Sequence, residues 1–388
     1  MSILRTAKAG LCILPLLMTG ACGGDDAPRP APPAPVATIS IASVQANVDR
    51  LDIRDDQESY KIDLSITPGN ASRKNLAFRS TNSNVVSIDK SGTLTTNGTG
   101  EAAIEVVDGA RLLLSIPINV RPVRMYSIGN SHTIDYRPGT DFPVLAKSQS
   151  ISIENSVHIK CSSSLTNIIE NPGDSCGGAT FPSYTQGLQE GEFDVITIQP
   201  HLGPTGIAEV ESIIQLIGQI RQSPNRDAQV FIYYTWPRNT AMPRIAFDYS
   251  EFWAAPYDAR NPIEGMNSDL VEYMREELAR RDIRVAGFIP AGATLDNFHR
   301  AASDGAVAGF TGAGAFYRDR LHMNNVGSFA AGITVLYSLF PELEIDDFNV
   351  PGYGKTKKRD LAINANVRRS IAAIAREAVA AEATQGAE

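Results

Sequence analysis

The sequence predicts an all-β sandwich followed by a three-layer α/β/α domain with a parallel sheet. Three observations lead to this fold class. Up to about residue 120, short strands alternate with Gly- and Asn-containing turns and no useful helical period occurs. From about residue 124, buried apolar strands alternate with helical segments, as in parallel sheets covered on both faces. The length of 388 residues suits about two domains of roughly 100–200 residues.

The first 21 residues have the pattern of an export signal. Arg5 and Lys8 precede a short apolar run, "LCILPLLM", which is too short to span a bilayer as a permanent helix. The small residues before Cys22 resemble a bacterial lipobox, which implies that this cysteine carries lipid and anchors the protein to a membrane. Thr19 stands where a leucine is usual in that motif. Cleavage without lipidation is the alternative.

Residues 22–37 are proline-rich and predict an extended linker. Residues 38–121 form the predicted β-sandwich, in which "YKIDLSITP" alternates apolar and polar positions and "ARLLLSIPINV" ends the segment. The stretch "LAFRSTNSNVVSIDKSGTLTTNGTGEAAIEV" resembles a group 2 bacterial Ig-like domain. The positions that match are Ser83, Val86, Gly92, Gly100 and Ile104, and Phe78 replaces the usual tryptophan. The resemblance implies a spacer or adhesion module.

Residues 122–388 form the predicted α/β domain. Its expected strands are "RMYSIGN", "FDVITIQ", "AQVFIYYTW" and "RVAGFIP". Its expected helices are "EVESIIQLIGQIRQS", "SDLVEYMREELARRDI", "NNVGSFAAGITVLYSLF" and "DLAINANVRRSIAAIAREAVAAEA". Ligand sites in such folds lie at the carboxyl ends of the strands. Ser131 directly follows the first of these strands and is therefore expected at that edge.

A serine becomes a nucleophile when a base, most often a histidine oriented by a carboxylate, removes its proton. The chain has five histidines, and two of them follow an aspartate in the spacing Asp-x-x-His: Asp296/His299 and Asp319/His322. The spacing brings the carboxylate near the imidazole. One chance match among five histidines is unsurprising, so the context must separate the two pairs.

The segments "IGNSHT" and "DRLHMNNVGSFAAG" together resemble the first and last motifs of the SGNH (GDSL-type) hydrolases, and "FIPAG" is also common in that family. The resemblance spans residues 124 to about 345. It implies a flavodoxin-like fold, with Ser131 as nucleophile, His322 as base and Asp319 as its orienting partner. The alternative is a polar turn at Ser131 and a solvated loop at Asp319 and His322.

The same resemblance guides the expected oxyanion hole, which needs two or three donors. The backbone N–H of Ser131 is one expected donor. "HIKCSSSL" lacks the glycine usual in the second motif, so Ser163 or a neighbour is expected to replace it. Gln199, at the end of "ITIQ", is expected in place of the usual asparagine.

Other residues have less defined expectations. His201 is expected near the pocket, and His132 is expected either to contact substrate or to face solvent. Trp236 and Arg238 are expected over the site, although packing is the commoner fate of an aromatic side chain. The segment "GAVAGFTGAGAF" is expected to be a flexible loop beside the site.

Cys161 and Cys176 predict a disulfide, since the protein is expected to be exported. Free thiols and an incomplete metal pair are the alternatives. No cofactor or metal is expected, because His-Glu-x-x-His, cysteine-pair and Gly-Lys-Ser/Thr motifs are missing from the sequence. A net charge of −8 argues against a nucleic-acid partner.

The expected function is that of an exported, lipid-anchored serine esterase of the cell envelope, periplasmic or at the cell surface. By analogy with its family it would remove acyl groups such as acetyl from glycans. The alternative is a non-catalytic surface lipoprotein that binds glycan or protein.

Overall fold

The computed structural model describes residues 38–385, apart from 57–58, 177, 202–205, 242–246, 257–265, 345–347, 349, 351 and 357–358. The expected signal peptide, the proline-rich linker and the lipidated Cys22 lie outside the described residues. Across the described residues, none of the helices has both the length and the apolar character needed to cross a bilayer.

The N-terminal region is built from strands. They are β1 (Ser43–Ala46), β2 (Leu51–Arg54), β3 (Tyr60–Lys61), β4 (Leu64–Thr67), β5 (Leu76–Ser80), β6 (Val86–Ile88), β7 (Thr93–Thr96), β8 (Gly100–Asp108) and β9 (Arg111–Arg121). They form a four-stranded sheet in the order β2-β9-β8-β5, a three-stranded sheet β3-β7-β6 and the pair β1-β4. Apolar side chains from the first two sheets share one core. The alternating pattern of the sequence thus places one face of each strand in this core.

The β-region joins the α/β domain with Pro122 as the one residue between consecutive strands. Arg121 donates two hydrogen bonds to the Asp194 carboxylate, with N–O distances of 2.6 and 2.8 Å. The Ser152 N–H donates to Asp55 at 2.7 Å. These bonds fix the two regions to each other at the amino ends of the parallel strands.

The α/β domain contains five parallel strands. They are β10 (Val123–Gly129), β11 (Ile153–Ile159), β12 (Val195–Ile198), β13 (Gln229–Tyr234) and β14 (Gly287–Pro290). The described helices are α1 (Ser131–Asp135), α2 (Asp141–Lys147), α3 (Leu165–Glu170), α4 (Tyr184–Glu190), α5 (Gly206–Arg221), α6 (Tyr249–Trp253), α7 (Ser268–Arg280), α8 (Ala291–Ser303), α9 (Asn325–Leu339) and α10 (Ala365–Gln385). A 3₁₀ turn, Ala313–Phe316, precedes α9.

The sheet has the order β11-β10-β12-β13-β14, and every neighbouring pair is parallel. The chain moves from β10 to one side and then returns to the other side of β10, so the direction reverses at that strand. This is the order of flavodoxin-like sheets, whose ligand crevice lies at the carboxyl ends of the strands beside the reversal. Ser131 follows β10 and therefore lies at this crevice.

Helices flank the sheet in two groups. Helices α3, α5 and α7 pack along one another, and α1, α2, α8 and α10 pack around α9. Right-handed crossovers place such groups on opposite faces of a parallel sheet. Helix α9 is buried over nearly its whole length, as its mostly apolar sequence favours. The structure is a mixed α/β fold with a parallel sheet, as the sequence predicted.

Candidate active site

The turn after β10 places Ser131 at the first position of α1. The Asn130 side chain caps this helix by accepting the N–H of His132 at 3.1 Å. The turn needs glycine at position 129, because a Cβ there would lie 2.3 Å from the Thr133 hydroxyl oxygen and 2.7 Å from the Gln199 Cβ. The sequence Gly-Asn-Ser thus makes a tight strand-to-helix turn that leaves the half-buried Ser131 at the sheet edge.

His322 lies in a compact loop before α9. One Asp319 oxygen accepts the backbone N–H groups of Leu321 at 2.8 Å and of His322 at 2.9 Å. The Arg318 N–H donates to the His322 carbonyl at 2.9 Å, and Tyr317 pairs with Met323 in an antiparallel bridge. The spacing Asp-x-x-His therefore closes a turn that holds the carboxylate against the imidazole.

Ser131, His322 and Asp319 meet at the carboxyl edge of the sheet. The His322 Nε2 lies 2.9 Å from the Ser131 Oγ, although 191 positions separate the two residues. The His322 Nδ1 lies 3.0 and 3.1 Å from the two Asp319 oxygens. A proton on Nδ1, donated to the carboxylate, leaves the Nε2 lone pair to accept the serine hydroxyl. This is the geometry of a nucleophile, a base and an orienting group.

The Asp319 carboxylate is held in its charged form. Partial burial raises its pKa, but the N–H groups of His322 and Leu321, together with the His322 side chain, outweigh burial and place the pKa below its usual value. Asp319 therefore stays ionised at neutral pH, as an orienting group must.

The loop that carries His322 is anchored to the segment after β13. The Trp236 Nε1–H donates to the Leu321 carbonyl at 2.7 Å, and the Asn239 N–H donates to the Arg320 carbonyl at 2.9 Å. Trp236 is fully buried. Trp236 therefore follows the packing alternative: it packs against the loop, because its indole supplies both apolar area and one donor. Arg238 is half-exposed.

One further histidine, His132, lies beside the base, and His201 is close enough to His132 to influence its pKa. His132 is only 4% exposed, and its ring centroid is 5.5 Å from that of His322. His132 therefore does not face solvent, which corrects one of the two expectations for it. Burial, with smaller contributions from His322 and His201, places the pKa of His132 well below its usual value, so His132 is neutral. His201 is half-buried, and its N–H donates to Glu209.

Gln199 does not have the contacts expected of an oxyanion donor. Its side-chain oxygen accepts the Asn130 N–H at 2.9 Å and the Thr133 hydroxyl at 3.1 Å, and its amide nitrogen donates to the Pro200 carbonyl. The side chain is 1% exposed. These bonds give Gln199 the role of fixing the nucleophile turn, because its side-chain oxygen accepts from both Asn130 and Thr133.

Ser163 lies beside the nucleophile turn, where the second motif was expected. The Asn130 side-chain nitrogen donates to the Ser163 carbonyl at 3.1 Å. Cys161 and Cys176 are joined in a disulfide, which closes the segment that carries Ser163 onto the chain following α3. The hydrogen bond and the disulfide both position this segment against Asn130.

The second Asp-x-x-His pair has other contacts. The His299 Nδ1 accepts the Ala313 N–H at 3.2 Å, and Asp296 accepts the Ser250 hydroxyl at 2.6 Å. His299 thus holds the 3₁₀ turn before α9, which shows that the glycine-rich segment is in part ordered. Within the part of the chain that the structure describes, no three His, Cys, Asp or Glu side chains are grouped to hold a metal ion.

Sequence reasoning overlooked two residues at this site. Asn130 lies within the quoted motif, and its capping spacing to His132 was available as a signal. Asp135 follows Ser131 by four positions, which places it one helical turn away, but a single aspartate in a helix gives no signal by itself.

No family model matches the sequence, and no curated protein matches it either. The chain is similar in structure to a DUF4886 family protein from Bacteroides uniformis, at 15% identity and a TM-score of 0.48, over 68% of this chain and 99% of that one. It is also similar to a candidate SGNH hydrolase from Slackia heliotrinireducens, at 19% identity and a TM-score of 0.34, over 55% and 97% of the two chains. Domains 4 and 5 of the S-layer protein SbsC match at 20% identity and a TM-score of 0.18, over 21% of this chain and 51% of that one.

Proposed function

We propose that this protein is a serine esterase of the SGNH type. The observation that carries the proposal is the contact between the His322 Nε2 and the Ser131 Oγ at 2.9 Å, with Asp319 on the opposite nitrogen of the same ring. The alternative from the sequence, a polar turn at Ser131 and a solvated loop at Asp319 and His322, does not require these segments to meet.

The reaction follows from this arrangement. The Ser131 oxygen attacks the ester carbonyl carbon while the His322 Nε2 takes the hydroxyl proton. The tetrahedral intermediate expels the alcohol, which takes the proton from His322, and an acyl group remains on Ser131. Water, deprotonated by His322, then attacks the acyl-enzyme, and the acid leaves as the proton returns to Ser131. Asp319 holds the ring and stabilises its charged form throughout.

The oxyanion requires donors near Ser131. The backbone N–H of the first residue of a helix has no acceptor within that helix. Ser131 is the first residue of α1, so its N–H can donate to the oxyanion. We assign the second donor to the backbone of Ser163, whose carbonyl is fixed by Asn130. Gln199 supports both by holding Asn130 rather than by donating to the oxyanion.

The natural substrate class is proposed from the family resemblance. An enzyme with an export signal, a lipid anchor at Cys22 and an Ig-like spacer would act on material outside the cytoplasm, and O-acyl groups such as acetyl on carbohydrate fit that place. The Ig-like region at residues 38–121 would hold the α/β domain away from the membrane.

Hydrolysis of p-nitrophenyl acetate by the wild type and by Ser131→Ala tests the proposal. We expect the wild type to turn over the ester and the variant to fall to the rate without enzyme. Acetate release from acetylated xylan then tests the carbohydrate assignment.

The non-catalytic alternative has one observation in its favour, since Gln199 is engaged within the fold and leaves fewer side-chain donors for an oxyanion. A wild type no faster than Ser131→Ala, together with binding of either to glycan, would support the alternative instead.

A further inference from the structure

A fully buried carboxylate lies directly behind the proposed catalytic residues. Asp135 is the last residue of α1, the helix whose first residue is Ser131, and it is 0% exposed. Its Oδ2 accepts the backbone N–H of Met323 at 3.2 Å. Met323 follows His322 in sequence, so this one bond connects the nucleophile helix to the loop of the base.

Arg318 extends this connection to the third catalytic residue. The Arg318 Nη1 lies 3.5 Å from the Asp135 Oδ1, and the Arg318 Nε lies 3.7 Å from the Asp319 Oδ2. The Arg318 Nη1 also donates to the Met323 carbonyl at 3.3 Å. One guanidinium thus lies between the buried carboxylate and the carboxylate that orients His322.

A buried carboxylate at position 135 lowers the stability of the fold, which a purely structural role does not explain. Burial raises its pKa to about 6, although Arg318, His322 and the Met323 N–H act in the opposite direction. Its Oδ1 has no hydrogen-bond partner among the described residues. A buried charge with incomplete hydrogen bonding destabilises a fold relative to a neutral side chain.

We propose that Asp135 is a positioning residue, which holds the His322 loop against the Ser131 helix and, through Arg318, keeps Asp319 in place. The inference rests on the proposed esterase function. It predicts a role in kcat rather than in substrate binding, because Asp135 is buried behind His322 and acts through Met323 and Arg318.

The test compares Asp135→Ala and Asp135→Asn with the wild type. The alanine variant removes the acceptor for the Met323 N–H, whereas asparagine keeps an oxygen that can accept it and loses the charge that faces Arg318. We expect kcat for p-nitrophenyl acetate to fall on the order of ten- to hundred-fold in the alanine variant, with KM nearly unchanged and a smaller fall in the asparagine variant.

Asp194 provides a matched control. It too accepts a backbone N–H, that of Arg124 at 2.9 Å, and it pairs with the guanidinium of Arg121. It directly precedes β12 and therefore lies at the amino ends of the strands, opposite the site. Asp194→Ala and Asp194→Asn should lose stability with kcat retained.

Hydrogen exchange at the Met323 amide provides a measurement that does not depend on turnover. We expect exchange to speed up roughly ten-fold or more in Asp135→Ala and to stay at the wild-type rate in the Asp194 variants. An active wild type with kcat unchanged in both Asp135 variants would overturn the inference and leave the esterase proposal intact. Unchanged exchange at Met323 in Asp135→Ala would overturn the inference even if the wild type hydrolysed no ester. If the alanine variant does not fold, the kcat of the asparagine variant decides the inference.

Discussion

The substitution Asp135→Asn should stabilise the α/β domain while slowing the enzyme. The Asp135 carboxyl has its pKa raised from 3.8 to about 6 by burial. At about 1.4 kcal/mol per pH unit, a difference of roughly two units corresponds to about 3 kcal/mol of stability that the wild type lacks at pH 8. Asparagine does not titrate and carries no charge to bury.

The sign follows from proton binding. Asp135 holds its proton more tightly in the folded state than in the unfolded state between pH 3.8 and about 6. The free energy of unfolding of the wild type therefore falls as the pH rises through this window. The wild type has lost about half of the 3 kcal/mol by pH 5, and the other half is lost between pH 5 and pH 8. The advantage of the variant should grow by that amount over the same interval.

Urea unfolding followed by tryptophan fluorescence measures this difference. The two tryptophans of the chain, Trp236 and Trp253, both lie in the α/β domain, so the signal reports that domain. A variant less stable than the wild type at pH 8, or an advantage equal at pH 5 and pH 8, would refute the assigned burial of a charged Asp135.

Three further predictions concern residues around the site. Replacing Cys161 and Cys176 by serine opens a loop of 15 residues and should lower the free energy of unfolding by about 3 kcal/mol. Activity should fall by a larger proportion than stability, and an activity equal to that of the wild type would contradict the positioning role given to this segment. His132→Phe should reduce the loss of stability below pH 6.5, because the buried ring of the wild type binds its proton less tightly in the folded state than in the unfolded state. An equal change in the free energy of unfolding between pH 7.5 and pH 5.5 for the two proteins would show the assignment to be wrong. Gln199→Ala removes two accepted hydrogen bonds, so it should lower stability by about 2 kcal/mol and slow the acylation of Ser131. Slower acylation with unchanged stability would instead indicate that Gln199 donates to the oxyanion.

Much of the α/β domain could be predicted from the sequence because its strands are buried on both faces. Strands β10, β12 and β13 are mostly apolar and almost entirely buried, and helices α5, α7, α9 and α10 follow their predicted segments. Strand β11 was missed because it is an edge strand, paired only with β10, and half of its length is polar.

The candidate site was predictable to the extent that local motifs define it. Gly129 to Ser131 and Asp319 to His322 each form a turn whose shape is set by neighbours in sequence. The role of Gln199 could not be derived, because an amide at a strand end can donate outward or accept inward, and the choice depends on the distant Asn130 N–H. Asp135 was missed for the same reason, since its partner lies 188 positions away.

The most direct test of the account is the intact mass of the wild type quenched during turnover of p-nitrophenyl acetate, followed by peptide mapping. The account predicts one added acetyl group, located on Ser131 and missing from both Ser131→Ala and His322→Ala. A covalent acetyl group on another residue, or rapid turnover with Ser131 unmodified and its alanine variant fully active, would contradict it.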